Sequence, residues 1–408
     1  MHQKYDFAIC GAGPGGAALA HILASRGLRT ALIEKQSNFS NEFRGEGIMP
    51  SGYYALKSIG FDLEKIDLPM QINSKVKAHY RGEHLIDAEF PFKEDGGLRW
   101  VSQPALLEHM ISKTKNYKEF DFFRGHRVND VIYENNRVVG LRGVAGNQKF
   151  ELKAKVIIGF DGRTSILRKK LGFEVKDFKQ IIDIIWFKIP YPSQFMEPGT
   201  AFVNFVPEGF MICPACYDNL LQVGWIITKG SFGKIKKQGV NVWISEMQKH
   251  CGETFAEHLE INRDKISDRF VLDVGLNRCT TWNKDGALLL GDAAHTMNPV
   301  GGQGINIALR DAIVAANHLV PAIIDNASPA ELDVIFKQIE EERLPEVSLI
   351  QNIQKRPTTA FKKQNPIIFF LIRNIPSISK LSFVKRLFAK LLNWMAYGVT
   401  KVELKAKG

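Results

Sequence analysis

Apolar and polar positions in this chain follow one repeated unit and one contrasting pattern. In the unit, a short apolar run ends on a glycine or an acid, a turn follows, and an apolar run of helical spacing comes next. Lys4–Cys10 leads into GAGPGG, Ala17–Ser25 continues rich in Ala and Leu, and the apolar run Thr30–Ile33 ends on Glu34. Lys155–Gly159 leads into FDGRTS and then Ile166–Leu171. Leu288–Asp311, LLLGDAAHTMNPVGGQGINIALRD, is the third unit. Each predicts a buried strand, a tight loop and a helix. The contrasting pattern is alternation. Ser74–Phe92 alternates in strand fashion, and Arg127–Tyr133 and Arg137–Val144 predict a hairpin across Glu134-Asn135-Asn136. Ile181–Leu221 and Gln222–Ile227 are strand-rich and aromatic, with Trp186, Phe187, Phe202, Phe205 and Phe210. Further helices are predicted from Ser51 (as cap) to Ile59, from Pro104 at a first turn, over Ser245–Leu259, over Ile305–Val320, and over Glu331–Ile353 with a kink or break near Pro345.

Composition changes this picture little. The 408 residues suit two closely packed domains, and 45% apolar with 24% charged residues is ordinary for a globular protein. No signal peptide is legible at the start, and no apolar run reaches the ~18 residues of a spanning helix. Five scattered cysteines suit a reducing compartment, so a cytoplasmic protein is expected. Cys213-Pro214-Ala215-Cys216 lacks a second CxxC or a His pair at metal spacing, so neither a metal site nor a redox dithiol is expected.

Charge does change the picture. Phe361–Gly408 holds ten Lys/Arg and one acid, so +9 of the net +11 lies in the tail. The body is nearly balanced, which excludes a general nucleic-acid-binding surface. In the tail Leu381, Val384, Phe388, Leu391, Leu392 and Met395 fall at helical spacing, with Lys385, Arg386 and Lys390 between them. Such a basic amphipathic helix either packs on its own domain or meets an anionic membrane surface as a peripheral contact.

The chemistry lies in the loops. Gly11, Gly13 and Gly16 have the G-x-G-x-x-G spacing between a strand and a helix. The first glycine makes the turn, the second admits a pyrophosphate, and the third lets helix and strand pack closely. Glu34 is placed to accept from a ribose hydroxyl and would repel a 2′-phosphate, so the resident nucleotide is FAD or NAD, not NADP. Arg44 is either a pyrophosphate clamp or a surface arginine. Gln103 is either a contact to the cofactor's sugar chain or a helix-entry residue. Asp161 either ties cofactor to backbone, with Arg163 and Arg168 meeting phosphate, or it or Ser165 caps a helix. Asp292 ends a strand, a usual place for a ligand-binding acid.

GAGPGG with Glu34, then FDGRTSILR, then GDAAHTMNPVGGQGIN stand in a fixed order. Over residues 4–320 this resembles the FAD-dependent aromatic hydroxylases, the para-hydroxybenzoate hydroxylase-like single-component flavoprotein monooxygenases. The resemblance implies an α/β fold: a Rossmann-type FAD-binding domain from residues 1–73, 93–180 and 270–330, interleaved with a mixed-sheet substrate domain from 74–92 and 181–269. The C-terminal helical region would be 331–408. It implies that Gly11, Gly13, Gly16 and Glu34 hold the ADP half of FAD, with Arg44 and Gln103 at the pyrophosphate and ribityl chain. Asp161 would serve FAD and the nicotinamide donor, and Asp292 the ribityl chain. Pro299, Gly301, Gly302, Gln303, Gly304 and Asn306 would wrap the flavin ring, and His295 would belong to the scaffold. NADPH or NADH would bind transiently as electron donor. A flavin hydroperoxide would hydroxylate or epoxidise an apolar aromatic, phenolic or polyene substrate, with no side chain required as nucleophile. Two alternatives share the fold: a geranylgeranyl reductase-like flavin reductase of a lipophilic substrate, and a flavin-dependent halogenase. The halogenase motif Trp-x-Trp-x-Ile-Pro is missing; the nearest match is Gly224-Trp225-Ile226-Ile227-Thr228. A non-catalytic flavoprotein is opposed by the intact loop at Pro299–Asn306.

Overall fold

A computed structural model describes residues 5–39, 46–206, 209–267, 269–299, 301–362, 366–378 and 382–407. One sheet carries a parallel core in the order Ala287–Leu289, Gln148–Gly159, Tyr5–Cys10, Thr30–Glu34, Phe120–Arg124. Four of these strands contain the apolar runs of the repeated unit and are largely buried there, as parallel strands are, whereas Phe120–Arg124 at the edge is only partly buried. Their register places the site. Cys10 lies beside both Gly159 and Ile33, and Gly159 beside Leu289. All three motif loops therefore leave the same edge of the sheet, at the carboxyl ends of its strands. The Gln148–Gly159 strand runs on past the core and pairs antiparallel with Arg137–Ala145, the second arm of the hairpin. That hairpin turns at Asn135 and Asn136, both at positive φ.

Helix Gln303–Ile324 packs between helices Pro14–Ala24, Pro50–Ser58 and Pro329–Lys362. It is long and apolar enough to cross a membrane, which the sequence reading did not anticipate. Most of it is buried within the fold, so it is a core helix. Helix Pro329–Lys362 continues through Pro345 instead of breaking there. The buried ion pairs of Arg343 and Glu346, on either side of the proline, hold it in place. Ser51 lies inside its helix, whose cap position belongs to Met49. The stretch from Ser245 to Leu259 spans parts of two helices, Val240–Gln248 and Glu253–Ile261, parted at Gly252.

The second sheet runs Phe270–Leu272, Ile182–Pro190, Leu220–Thr228, Gly209–Cys213, Thr200–Val206, Lys75–Tyr80, Glu83–Glu89. Pairing is antiparallel except between Thr200–Val206 and Lys75–Tyr80. Residues 270–272 pair here, through Val271 with Ile185, although sequence reading had grouped them with the nucleotide-binding segments. A three-residue strand is too short to carry a period of its own. Beneath the sheet, Trp243, Met247, Phe255 and Leu259 from the two short helices close an aromatic core. A three-stranded sheet, Gly47–Ile48, Leu98–Val101 and Met70–Asn73, joins the two bodies. The Asn73 amide staples it to the second sheet, donating to the Ala215 carbonyl and accepting from its N–H, both at 2.9 Å.

Candidate functional site

The first glycine turn is made by contact. A Cβ on Gly16 would lie 2.0 Å from the Gly11 carbonyl oxygen, and one on Gly11 2.4 Å from that of Phe160. A Cβ on Gly13 would meet nothing within 4 Å. The two outer glycines thus let strand, loop and helix close on one another, and the middle one borders open space at the helix N-terminus, where a phosphate is favoured. The Glu34 carboxylate accepts from the Ala12 N–H at 3.0 Å and the Gln36 N–H at 2.9 Å, which brings it against the turn.

In the second loop the capping role is the one the structure shows. Asp161 Oδ2 accepts from the N–H groups of Ile166 (2.7 Å) and Leu167 (3.1 Å), while Ser165 Oγ accepts from Arg168 N–H. Both residues therefore cap the Ile166–Lys170 helix. Asp161 Oδ1, though buried, has no partner among the described residues, and burial pushes the carboxyl above its usual range. The arginines are committed elsewhere. Arg163 Nε lies 3.2 Å from Asp292 Oδ2, and Arg168 donates to the carbonyls of Asp292, Ala293 and Arg163. They brace the Gly291-Asp292 turn in this arrangement, where sequence reading had them meeting phosphate.

The third loop is held from behind. Gln354 exchanges hydrogen bonds with the Asn298 backbone at 3.1 and 2.8 Å, and Gln351 donates to the Thr296 carbonyl. The Gly302 N–H donates to the Pro299 carbonyl, and Gly302 caps the following helix in the left-handed region. Gln303 donates to the carbonyls of Gly301 and Met395, both at 2.8 Å, which ties the loop to helix Ser382–Tyr397. Asn306 accepts from the Met49 N–H at 2.9 Å and donates to the Gly302 and Gly47 carbonyls. It joins the loop to the small linking sheet. Gly302 and Gly304, like Gly13, border open space. His295 pairs with Asp311 at 2.8 Å, and Asp311 with Arg343 at 2.7 Å, all fully buried. Asp311 is thus the hub of a buried network.

Gln103 opens the helix Gln103–Thr114 and is 4% exposed, and its Oε1 has no hydrogen-bond partner among the described residues. Arg44 lies outside the described residues. Asp161 Oδ1, in the second motif loop, and Gln103 Oε1, at the start of its helix, are two buried oxygens without a partner among the described residues. A buried polar atom without a partner is costly, and a cofactor that supplies donors relieves that cost. The residues present fit a dinucleotide: open space at Gly13 for phosphates, Glu34 for a ribose, Gln103 for the sugar chain, and the Pro299–Asn306 loop for the ring.

Fold and site together define a flavoprotein of the nucleotide-binding α/β class. The chain belongs to the FAD binding domain family, which it matches over residues 4–349, and it is an FAD-dependent oxidoreductase. It is 26% identical over 320 residues to 6-methylpretetramide 4-monooxygenase of Streptomyces rimosus, covering 76% of this chain and 74% of that protein. It is also 26% identical over 332 residues to digeranylgeranylglycerophospholipid reductase 2 of Methanococcoides burtonii, covering 79% and 76%. In fold it is similar to p-nitrophenol 4-monooxygenase of Pseudomonas putida DLL-E4, with TM-score 0.81, 18% identity and coverage of 98% and 100%.

Sequence reading missed a second group of polar residues. Glu46, Lys188 and Tyr217 meet where the linking sheet touches the second sheet, beside Cys216. No local motif marks them, because they come from three separate segments. The expected inertness of the CxxC agrees with the packing: Cys213 and Cys216 are buried, and burial pushes both thiols up, Cys216 to about 12.

Proposed function

We propose that this enzyme is an NAD(P)H-dependent monooxygenase that hydroxylates or epoxidises an apolar aromatic, phenolic or polyene substrate. The observation that carries the reading is the convergence of three motif loops at one sheet edge, with the buried, unpartnered Oδ1 of Asp161 in the second of them. Bound FAD supplies the electron transfer and the activation of dioxygen. The chain's own part is to hold it. Glu34 binds the ribose, the Pro14–Ala24 helix N-terminus faces the phosphates, and Asn306 and Gln303 fix the ring loop against the linking sheet and the last helix. Apolar walls from Met49, Phe92, Leu98 and Trp100 exclude water beside that loop.

The test is stopped-flow spectroscopy on the holoenzyme, reduced anaerobically with NADH or NADPH and mixed with oxygen, with and without candidate substrates. Fast reoxidation through a transient spectrum distinct from both end states supports the reading. Slow single-step reoxidation with every substrate refutes it and favours a lipid reductase. A requirement for halide would favour a halogenase.

The last helices support a peripheral membrane contact for a cytoplasmic protein. Ile367, Phe370 and Leu371 on Pro366–Arg373, and Phe383 and Leu387 on Ser382–Tyr397, are large, apolar and exposed. They stand on the basic tail, and such a pairing of apolar and cationic side chains binds anionic bilayers. Sedimentation with anionic but not with neutral vesicles, weakened by Phe383→Ser with Leu387→Ser, is the expected result. Equal recovery in the supernatant with both vesicle types would sink it.

A further inference from the structure

The last helix has two sides that answer to different neighbours. On Ser382–Tyr397, Phe383, Arg386, Leu387 and Lys390 fall at i, i+3, i+4 and i+7 and so share one side. Phe383 and Leu387 are 66% and 68% exposed, and Arg386 and Lys390 are exposed beside them. Pro366–Arg373 repeats the pattern, with Ile367, Phe370 and Leu371 exposed and Arg373 at its end. A helix that only packs on its own domain turns such apolar side chains inward.

The far end of Ser382–Tyr397 is committed to the loops assigned to the flavin. Ala396 is fully buried with Met49, Phe92, Leu98 and Trp100. The Met395 carbonyl accepts from Gln303 Nε2 at 2.8 Å, and the Met395 methyl fills the space that a Cβ on Gly301 would need. Tyr397 Oη donates to Asp95. The chain leaving the helix is clamped from behind. Arg310 donates to the carbonyls of Tyr397 (2.8 Å) and Thr400, and the Val399 N–H donates to Glu346 Oε1 at 2.8 Å. Arg310 also pairs with Glu346 (2.9 Å), Glu346 with Arg343 (2.5 Å) and Arg343 with Asp311 (2.7 Å), and Asp311 Oδ2 accepts from the Gly291 N–H at 3.0 Å. These four charged side chains are at most 5% exposed. The tail therefore reaches the ring loop directly through Met395, and the Gly291-Asp292 turn through a chain of buried charges. Coupling between distant surfaces travels through contiguous chains of this kind.

We propose that an anionic bilayer, bound by the outer side of the last helices, tightens the hold of the flavin loops on FAD, so that the enzyme keeps its cofactor best at the membrane. This rests on the membrane contact proposed above. A bilayer suits this surface better than a second copy of the chain does. Cations stand beside the exposed apolar residues, so an anionic interface meets both, whereas two copies would bring like charges together. Seated in the interface, the helix loses freedom that its far end otherwise passes to Met395 and Gln303. The ring loop is then ordered before FAD arrives, and less of the binding free energy is consumed in ordering it. No covalent bond changes and no electron moves. Coupling of this kind is reciprocal, so FAD must strengthen vesicle binding by the same factor by which vesicles strengthen FAD binding.

The test measures both legs on the full chain. FAD is titrated into flavin-stripped protein by fluorescence with vesicles of phosphatidylglycerol and phosphatidylcholine in equal parts, with phosphatidylcholine vesicles, and with none. Sedimentation gives the vesicle affinity of the stripped and the reconstituted protein. FAD binding about fivefold tighter or more is expected on the anionic vesicles alone, with an equal gain in vesicle affinity when FAD is added. Phe383→Ser with Leu387→Ser changes exposed positions, so it should keep the unfolding midpoint and lose both gains. Gln303→Leu cuts the bond to Met395 and should leave vesicle binding by the stripped protein intact while shrinking the gain in FAD affinity. Vesicle binding with the same FAD affinity on and off the vesicles overturns the proposal and leaves the membrane contact standing. Absence of binding to anionic vesicles sinks the membrane contact itself, and this proposal with it. A dimer that Phe383→Ser with Leu387→Ser dissolves, in protein that ignores vesicles, would give the surface to a second copy and overturn the proposal as well.

Discussion

Replacing Gln103 by leucine should move two measurable quantities in opposite directions. Gln103 is 4% exposed and its Oε1 has no partner among the described residues. A buried polar group left unsatisfied costs about 1–3 kcal/mol. Leucine has nearly the same size and a similar helix propensity, so Gln103→Leu should stabilise the apoprotein by roughly 1 kcal/mol or more. The holoenzyme instead loses the hydrogen bond that the FAD sugar chain would make to that oxygen. A loss of about 1–3 kcal/mol weakens FAD binding roughly 5- to 150-fold. Urea unfolding of flavin-stripped protein gives the first quantity, and titration of FAD by quenching of its fluorescence gives the second. An apoprotein that becomes less stable would mean that the amide has a structural partner. Unchanged FAD affinity would mean that the oxygen does not face the cofactor. Either result refutes the assignment of Gln103 from its orphaned oxygen.

Gly16→Ala should abolish FAD retention on purification, because the new Cβ would lie 2.0 Å from the Gly11 carbonyl and backbone cannot yield cheaply there; a yellow variant would disprove it. Asp311→Ala takes one of two buried carboxylate partners from Arg343, leaving Glu346, and leaves His295 without its acceptor, so unfolding should become easier by about 3 kcal/mol in urea. His21 gives a pH signature. Burial first, then Lys113 and Arg26, push it down from 6.5 to about 4. The unfolded chain therefore takes up its proton at higher pH than the folded one. Stability from this group is full above pH 6.5 and falls by roughly 3 kcal/mol as pH drops to about 4. His21→Gln should flatten that part of the stability profile, and an unchanged slope would assign it elsewhere.

What this sequence determined alone is local. The turn of Gly11, Gly13 and Gly16 is readable because close packing of strand, loop and helix demands glycine at fixed spacing along one segment. The strand, loop and helix around Asp161 and Asp292 are readable for the same reason, as is the hairpin at Asn135-Asn136, where positive φ selects asparagine. The apolar periodicity of the 303–324 helix was legible too, although its burial was not. Tertiary structure decided everything that depends on neighbours distant in the chain. Asp161 both caps a helix and keeps one oxygen free, which no local pattern distinguishes. Arg163 and Arg168 brace the Asp292 turn because parallel register brings residues more than a hundred positions apart to one edge. Pro345 stays within its helix because ion pairs to other segments hold both sides of it. Glu46, Lys188 and Tyr217 carry no local pattern in sequence and meet only when two sheets are joined through a third. Spacing records the backbone's short-range demands, whereas the pairing of buried charges is set by packing, which a one-dimensional pattern does not contain.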